Sequence, residues 1–141
     1  MTSQLNVDTI VDKAGSGGTN VKVANNAVAV AEGGSATTNV VQGLAKAWSQ
    51  VKQTDTFAVN DSFNISSGVD QGTGIARMNL STSFANTTFS GHCTNDSSGW
   101  GHNGCIDDVA TSRYDMYQMQ TDTTGAADTP RTQSVAFGDL A

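Results

Sequence analysis

The chain has 141 residues, enough for one domain and an appendage but too few for two full cores. Lys, Arg, Asp and Glu make up only 14% of it, against roughly 25% in an average globular protein, and the net charge is −6. Its 7 scattered Lys and Arg residues argue against a surface that tracks nucleic-acid phosphates, and no apolar run approaches the ~20 residues of a membrane span.

The missing charge is replaced by Thr, Ser, Asn, Asp, Gln and 15 glycines, with a single proline, Pro130. These side chains favour turns and exposed strand faces and disfavour helix interiors. A short helix near Val40–Trp48 is the one helical expectation. Met1-Thr2-Ser3-Gln4 has neither a basic start nor an apolar run, so folding in a cytoplasm is expected.

From the first residue, Leu5, Val7 and Thr9 alternate with Asn6 and Asp8, and Ile10-Val11 follow. Val21 and Val23, then Val28 and Val30, recur between Gly- and Asn-rich turns. These strands are too short and too small in volume to bury a core alone. Two readings of residues 1–43 stand: a flexible tail, or an intertwined segment. In the second, Leu5, Val7, Ile10, Val21, Val23, Val28 and Val30 serve attachment or oligomerisation. The regular valines favour the second, since a linker has no use for them.

From Gly43 the chain becomes strand, turn, strand. Trp48, Phe57, Val59, Phe63 and Ile65 are the first large apolar residues at strand-like spacing. Phe63 and Ile65 lie two apart, which predicts one shared face with Asn64 opposite. The run is expected to stop at Ser66-Ser67-Gly68 and turn over Asp70–Gly74, with alternation resuming at Met78 and Leu80, a hairpin pattern. Phe89 opens another strand into His92 and Cys93, and Thr94–Gly104 reads as a long polar loop. Arg113–Thr121 carries apolar residues on both faces and is expected to be central or to lie against a neighbouring subunit. Val135 and Phe137 close the last strand. The fold class is mostly β: a small antiparallel β-sandwich or barrel-like module (44–141), preceded by an extended β-rich amino-terminal segment (1–43).

Ala45-Lys46-Ala47-Trp48, Asp61–Ser67, Asp70–Gly74 and the closing Val135–Ala141 occur in an order that resembles a module of marine bacteriophage tail-fibre and tail-fibre-like virion proteins. There an AKAW segment precedes an SFN-S strand, a D-GTG hairpin and a last strand ending near FGD. The resemblance covers Leu44 to Ala141. One departure is Ser49–Gln53, poorer in aromatic and β-branched residues than the family's segment, so a short first strand is expected. The resemblance implies a structural virion protein, a short tail fibre or tail-fibre-like appendage contributing to host attachment. It further implies a homotrimer in contact with other tail or capsid proteins, assembled in the infected host's cytoplasm. A head fibre, capsid decoration or tail-nozzle accessory protein is the nearest alternative. A free carbohydrate-binding module or depolymerase fragment is the alternative of another class.

Both histidines and both cysteines but no strong catalytic motif fall in one stretch, His92, Cys93, His102 and Cys105. These residue types ligate zinc, but His92 and Cys93 are adjacent and diverge on a strand, so no metal and no cofactor is expected. A Cys93–Cys105 disulfide and two free thiols both remain open. Asp107-Asp108 also diverge, and no Ser, His or Cys nucleophile sits in a recognisable triad, so catalysis is not expected. Trp100 between two glycines, with Asn95, Asp96 and His102 nearby, suggests a tip that stacks on a host surface glycan. The competing reading folds Trp100 back as a plug on the end of the sandwich.

Overall fold

The computed structural model describes residues 27–30, 36–96, 102–120 and 125–141. Leu5, Val7, Ile10, Val21, Val23 and Trp100 lie outside the described residues, as do the side chains of Val30 and His102. The chain divides between Val41 and Gln42 into two units. In the first, β1 (Val28–Val30) and β2 (Thr37–Asn39) form an antiparallel pair with Val28 opposite Asn39. Val40 N–H donates to Ala27 C=O at 3.0 Å and extends the pair, while Val28 stays 53% exposed.

The second unit is a sandwich of two four-stranded antiparallel sheets. Its strands are β3 (Ala47–Lys52), β4 (Ala58–Phe63), β5 (Ile65–Gly72), β6 (Ile75–Leu80), β7 (Ser90–Asp96), β8 (His102–Ala110), β9 (Arg113–Gln120) and β10 (Arg131–Phe137). The first sheet has the order β4-β3-β10-β7 and the second β5-β6-β9-β8. No helix occurs among the described residues, so the helix expected near Val40–Trp48 is replaced by turns followed by β3. No described helix is long and apolar enough to cross a membrane.

The interior is built from small and polar side chains as much as from apolar ones. The first sheet turns Ala47, Ser49, Val51, Thr132, Ser134 and Ala136 inward; the second contributes Ala76, Met78, Tyr114 and Met116. Phe84 closes one end, stacked on Phe89 with ring centroids 4.2 Å apart. A hydroxyl string crosses between the sheets: Tyr114 Oη to Ser134 Oγ, and Ser134 Oγ to Ser49 Oγ, each 2.8 Å. β3 is therefore a full strand of 6 residues where a short one was expected. Its polar Ser49 is stabilised inside by this string, because a buried hydroxyl with partners costs little.

A second buried string runs from Gln118 through Thr129 and Thr132 to Gln53, at 2.6, 2.7 and 3.2 Å. Thr129 and Thr132 bring two hydroxyl protons to three contacts, and turning one glutamine amide over would supply the third donor. The Nε2 atoms of Gln53 and Gln118 are both buried with no partner among the described residues.

Asn64 corrects the expectation that Phe63 and Ile65 share a face. It has φ 59°, ends β4 and starts β5 in the other sheet. Phe63 consequently points outward, 51% exposed, while Ile65 packs on the core. β5 also continues through Ser66-Ser67-Gly68, where a stop was expected, with a register shift between Ile65 and Ser67, because Ile65, Ser67, Gly68 and Val69 pair with β6. The hairpin turn falls at Thr73-Gly74. β9 is central, between β6 and β8, as its two apolar faces suggested.

Candidate functional site

The outer face of the first sheet carries two side-chain rows across all four strands. Trp48 lies opposite Phe63 on one side and Val135 on the other, and Val135 lies opposite His92. Two residues further along each strand, Gln50 lies opposite Asp61 and Gln133, and Gln133 opposite Thr94. The face therefore presents Phe63–Trp48–Val135–His92 beside Asp61–Gln50–Gln133–Thr94. Alternation forces this: Ser49, Cys93, Ser134 and Ala136 point in, so their neighbours point out. Trp48 is 36% exposed and Phe137, one row beyond Val135, is 37% exposed.

Charge within these two rows is sparse, and Lys52, two residues past Gln50 on the same face, is paired with Asp55 at 3.2 Å. Asp61 is the one carboxylate of the eight and His92 the one ionisable base, at opposite corners. Asp61 Oδ1 is also engaged locally, accepting the Ser62 N–H at 2.8 Å. Beyond the polar row, Arg131 and Asp96 neutralise each other as an ion pair. The outer face of the second sheet is different. There Arg77 meets Asp115 through two bonds, 2.7 and 2.8 Å, and Asp108 at 2.7 Å. Asp108 also holds Arg113, whose hydrogen bond keeps the Asp108 carboxyl below the usual carboxylate range.

At the β7 end the face borders a polar cleft of about 270 Å³ lined by His92, Cys93, Thr94, Asn95, Asn103 and Gly104. The Asn95 Nδ2 atom is buried there without a partner among the described residues. Gly104 comes so close that a Cβ on it would stand 2.9 Å from Cys93 Sγ. Burial pushes the Cys93 thiol up to about 12, with Cys105 adding to the shift.

The predicted site residues fall into separate places. Asn95 and Asp96 are strand residues at the end of β7 and not parts of a loop, since β7 runs to Asp96 and β8 starts at His102. The polar loop expected over Thr94–Gly104 is correspondingly shorter. Asn95 turns toward the cleft; Asp96 is bound by Arg131. Cys93 is buried and Cys105 exposed, and both are free thiols. His92 lies on the outer face and Cys93 on the inner one, the divergence read from their adjacency. Among the described residues no group of three or more His, Cys, Asp or Glu is placed to hold a metal. Sequence alone does not reveal the Trp48 face, because large apolar residues at strand spacing look the same whether they point in or out. The usable signal was the inverse alternation in β10, where Thr132, Ser134 and Ala136 are small and Val135 and Phe137 large.

No protein-family model matches the chain, and no curated protein or solved structure matches it.

Proposed function

We propose that the protein is a non-catalytic structural component of a bacteriophage particle, a short tail fibre or tail-fibre-like appendage that contributes to host attachment. The observation that carries the reading is the meeting of the resemblance's separate segments. Lys46 N–H of the AKAW segment donates to Ala136 C=O of the closing segment at 2.8 Å. Asn64 of the SFN-S segment donates through Nδ2 to Lys46 C=O at 3.0 Å. Trp48 pairs with Phe63 and with Val135. The D-GTG turn is fixed from the far side, with Gly74 N–H donating to Asp128 Oδ1 at 2.7 Å. Segments scattered along the sequence thus form the frame of one module, which supports reading them as a family signature.

Homotrimeric assembly in the host cytoplasm and contacts with other tail or capsid proteins belong to the same proposal. The exposed Val69 and Met119 of the second sheet, both about two-fifths exposed, support subunit contacts. The runner-up, a free carbohydrate-binding module, draws on the aromatic row of the first sheet. Gold-labelled antibodies against the protein on intact particles test the proposal. Label on the tail supports it, label on the head favours the head-fibre or decoration alternative, and unlabelled particles contradict it.

A further inference from the structure

We infer that the outer face of the first sheet is a binding platform for an uncharged glycan chain, with Trp48 as its central stacking residue. The inference rests on this face alone and not on the particle assignment. A row of apolar and ring side chains, Phe63–Trp48–Val135–His92, runs beside a row of hydrogen-bonding ones, Asp61–Gln50–Gln133–Thr94. A pyranose offers matching chemistry: a face of C–H groups that stacks on an aromatic ring, and a rim of hydroxyls that both donate and accept. Glutamine amides suit that rim because each carries a donor and an acceptor. Hydroxyls of an uncharged chain ask for no counter-charge, and the charges beside the rows are already paired, Lys52 with Asp55 and Arg131 with Asp96.

Charge decides against an anionic occupant. Three inter-strand steps of about 4.8 Å make the row ~14 Å long, and the two rows lie ~7 Å apart. A narrow linear polymer needs no more width than these two rows. An anionic glycan would meet the Asp61 carboxylate with His92 as the only opposing group among the eight side chains. Both the length of the row and its neutrality therefore fit several residues of a neutral polysaccharide lying across the strands.

Affinity electrophoresis in gels containing hydroxyethyl cellulose, xylan or laminarin, with alginate as the anionic comparison, tests this. The wild-type protein is expected to be retarded by at least one neutral polysaccharide and not by alginate. Trp48→Ala should weaken that retardation about tenfold or more, as loss of a central anchor does. Gln50→Ala is a milder second variant of the same face, and Tyr117→Ala, on the opposite sheet, should bind as wild type. Circular dichroism and melting on each variant separate lost binding from lost fold. These outcomes overturn the inference: no retardation by any of the neutral polymers, retardation by alginate alone, or folded Trp48→Ala and Gln50→Ala variants that bind like wild type. Self-association that Trp48→Ala abolishes, without polysaccharide binding, would assign the face to a second copy and overturn it too. A protein that binds these polymers but is missing from particles would leave this inference standing and defeat the virion proposal.

Discussion

Asn64 and Thr82 clasp each other: the Thr82 N–H donates to Asn64 Oδ1 at 2.7 Å, and Asn64 Nδ2 donates back to the Thr82 carbonyl at 3.0 Å. The same Nδ2 reaches Lys46 C=O, so one side chain joins three segments at the corner where the chain passes from the first sheet to the second. Its φ of 59° is a conformation asparagine tolerates better than most residues. Asn64→Ala loses all three bonds and adds backbone strain. Because the site is partly solvated, urea denaturation should show a loss of about 1–3 kcal/mol. Asn64→Gly keeps the backbone relaxed and should lose about 1 kcal/mol less. Equal losses in the two variants would remove the backbone part of this explanation.

Gly74 makes a second joint. It has φ 71°, and a Cβ there would stand 2.6 Å from Gln118 O and 2.7 Å from Ala127 N. Neither backbone atom belongs to a flexible side chain that can move aside. Gly74→Ala should cost about 2–5 kcal/mol in a urea or thermal melt, from left-handed strain together with overpacking. A loss under about 1 kcal/mol would show that the turn is not docked on β9 as described.

The two thiols should differ sharply. Cys105 is exposed and Cys93 buried, so a chromogenic disulfide reagent at mild alkaline pH should modify one thiol at once and the other only as the protein opens. Cys105→Ser should remove the fast reaction. A protein with no reactive thiol until a reductant is added would be disulfide-bonded, contrary to the free thiols seen here.

Alkaline stability follows from the same burial. Cys93 is pushed up to about 12, and Tyr114 is raised by burial against the opposing hydrogen bond to Ser134. Groups raised in the folded state hold their proton there while the unfolded chain gives it up. Stability is therefore full below the unfolded cysteine value of about 8.5 and falls as pH rises toward 12. Urea midpoints between these limits should fall steadily, and Cys93→Ala and Tyr114→Phe should each flatten part of the slope. A flat wild-type profile would contradict the buried placement of both groups.

On the second sheet, Asp115 is 6% exposed and is covered by Arg77. Arg77→Ala leaves Asp115 with only Arg113, at 3.9 Å, and should lower stability measurably, whereas replacing both partners, Arg77→Met with Asp115→Leu, should come close to wild type. A double variant as unstable as the single one would mean that the pair is net stabilising. Unfolding free energies of the three proteins decide this.

The β class and the central place of β9 were legible because alternation and turn residues act locally. The β5–β6 hairpin was legible for the same reason, since Gly72 and Gly74 mark its turn wherever it packs. The face choice of Phe63 was not, because it depends on Asn64 adopting a left-handed conformation that only its bonds to Lys46 and Thr82 explain. The outward face of Trp48 was illegible for another reason. The first sheet turns its small residues inward, against a core filled from the second sheet by Met78, Tyr114 and Met116, so size stopped reporting burial. Ser49 and Ser134 could be recognised as interior only once Tyr114 was known to bond across to them. The ends of β7 and β8 were hidden by polar composition: Thr94, Asn95 and Asp96 pair with β10 through their backbone, whatever their side chains prefer.

Quantitative mass spectrometry of gradient-purified virus particles is the sharpest test of the proposed virion role. The chain should co-sediment with intact particles at a fixed copy number that is a multiple of a trimer, and should withstand repeated banding. Recovery of the chain only in the soluble fraction of the same lysate, with none in banded particles, would contradict the claim.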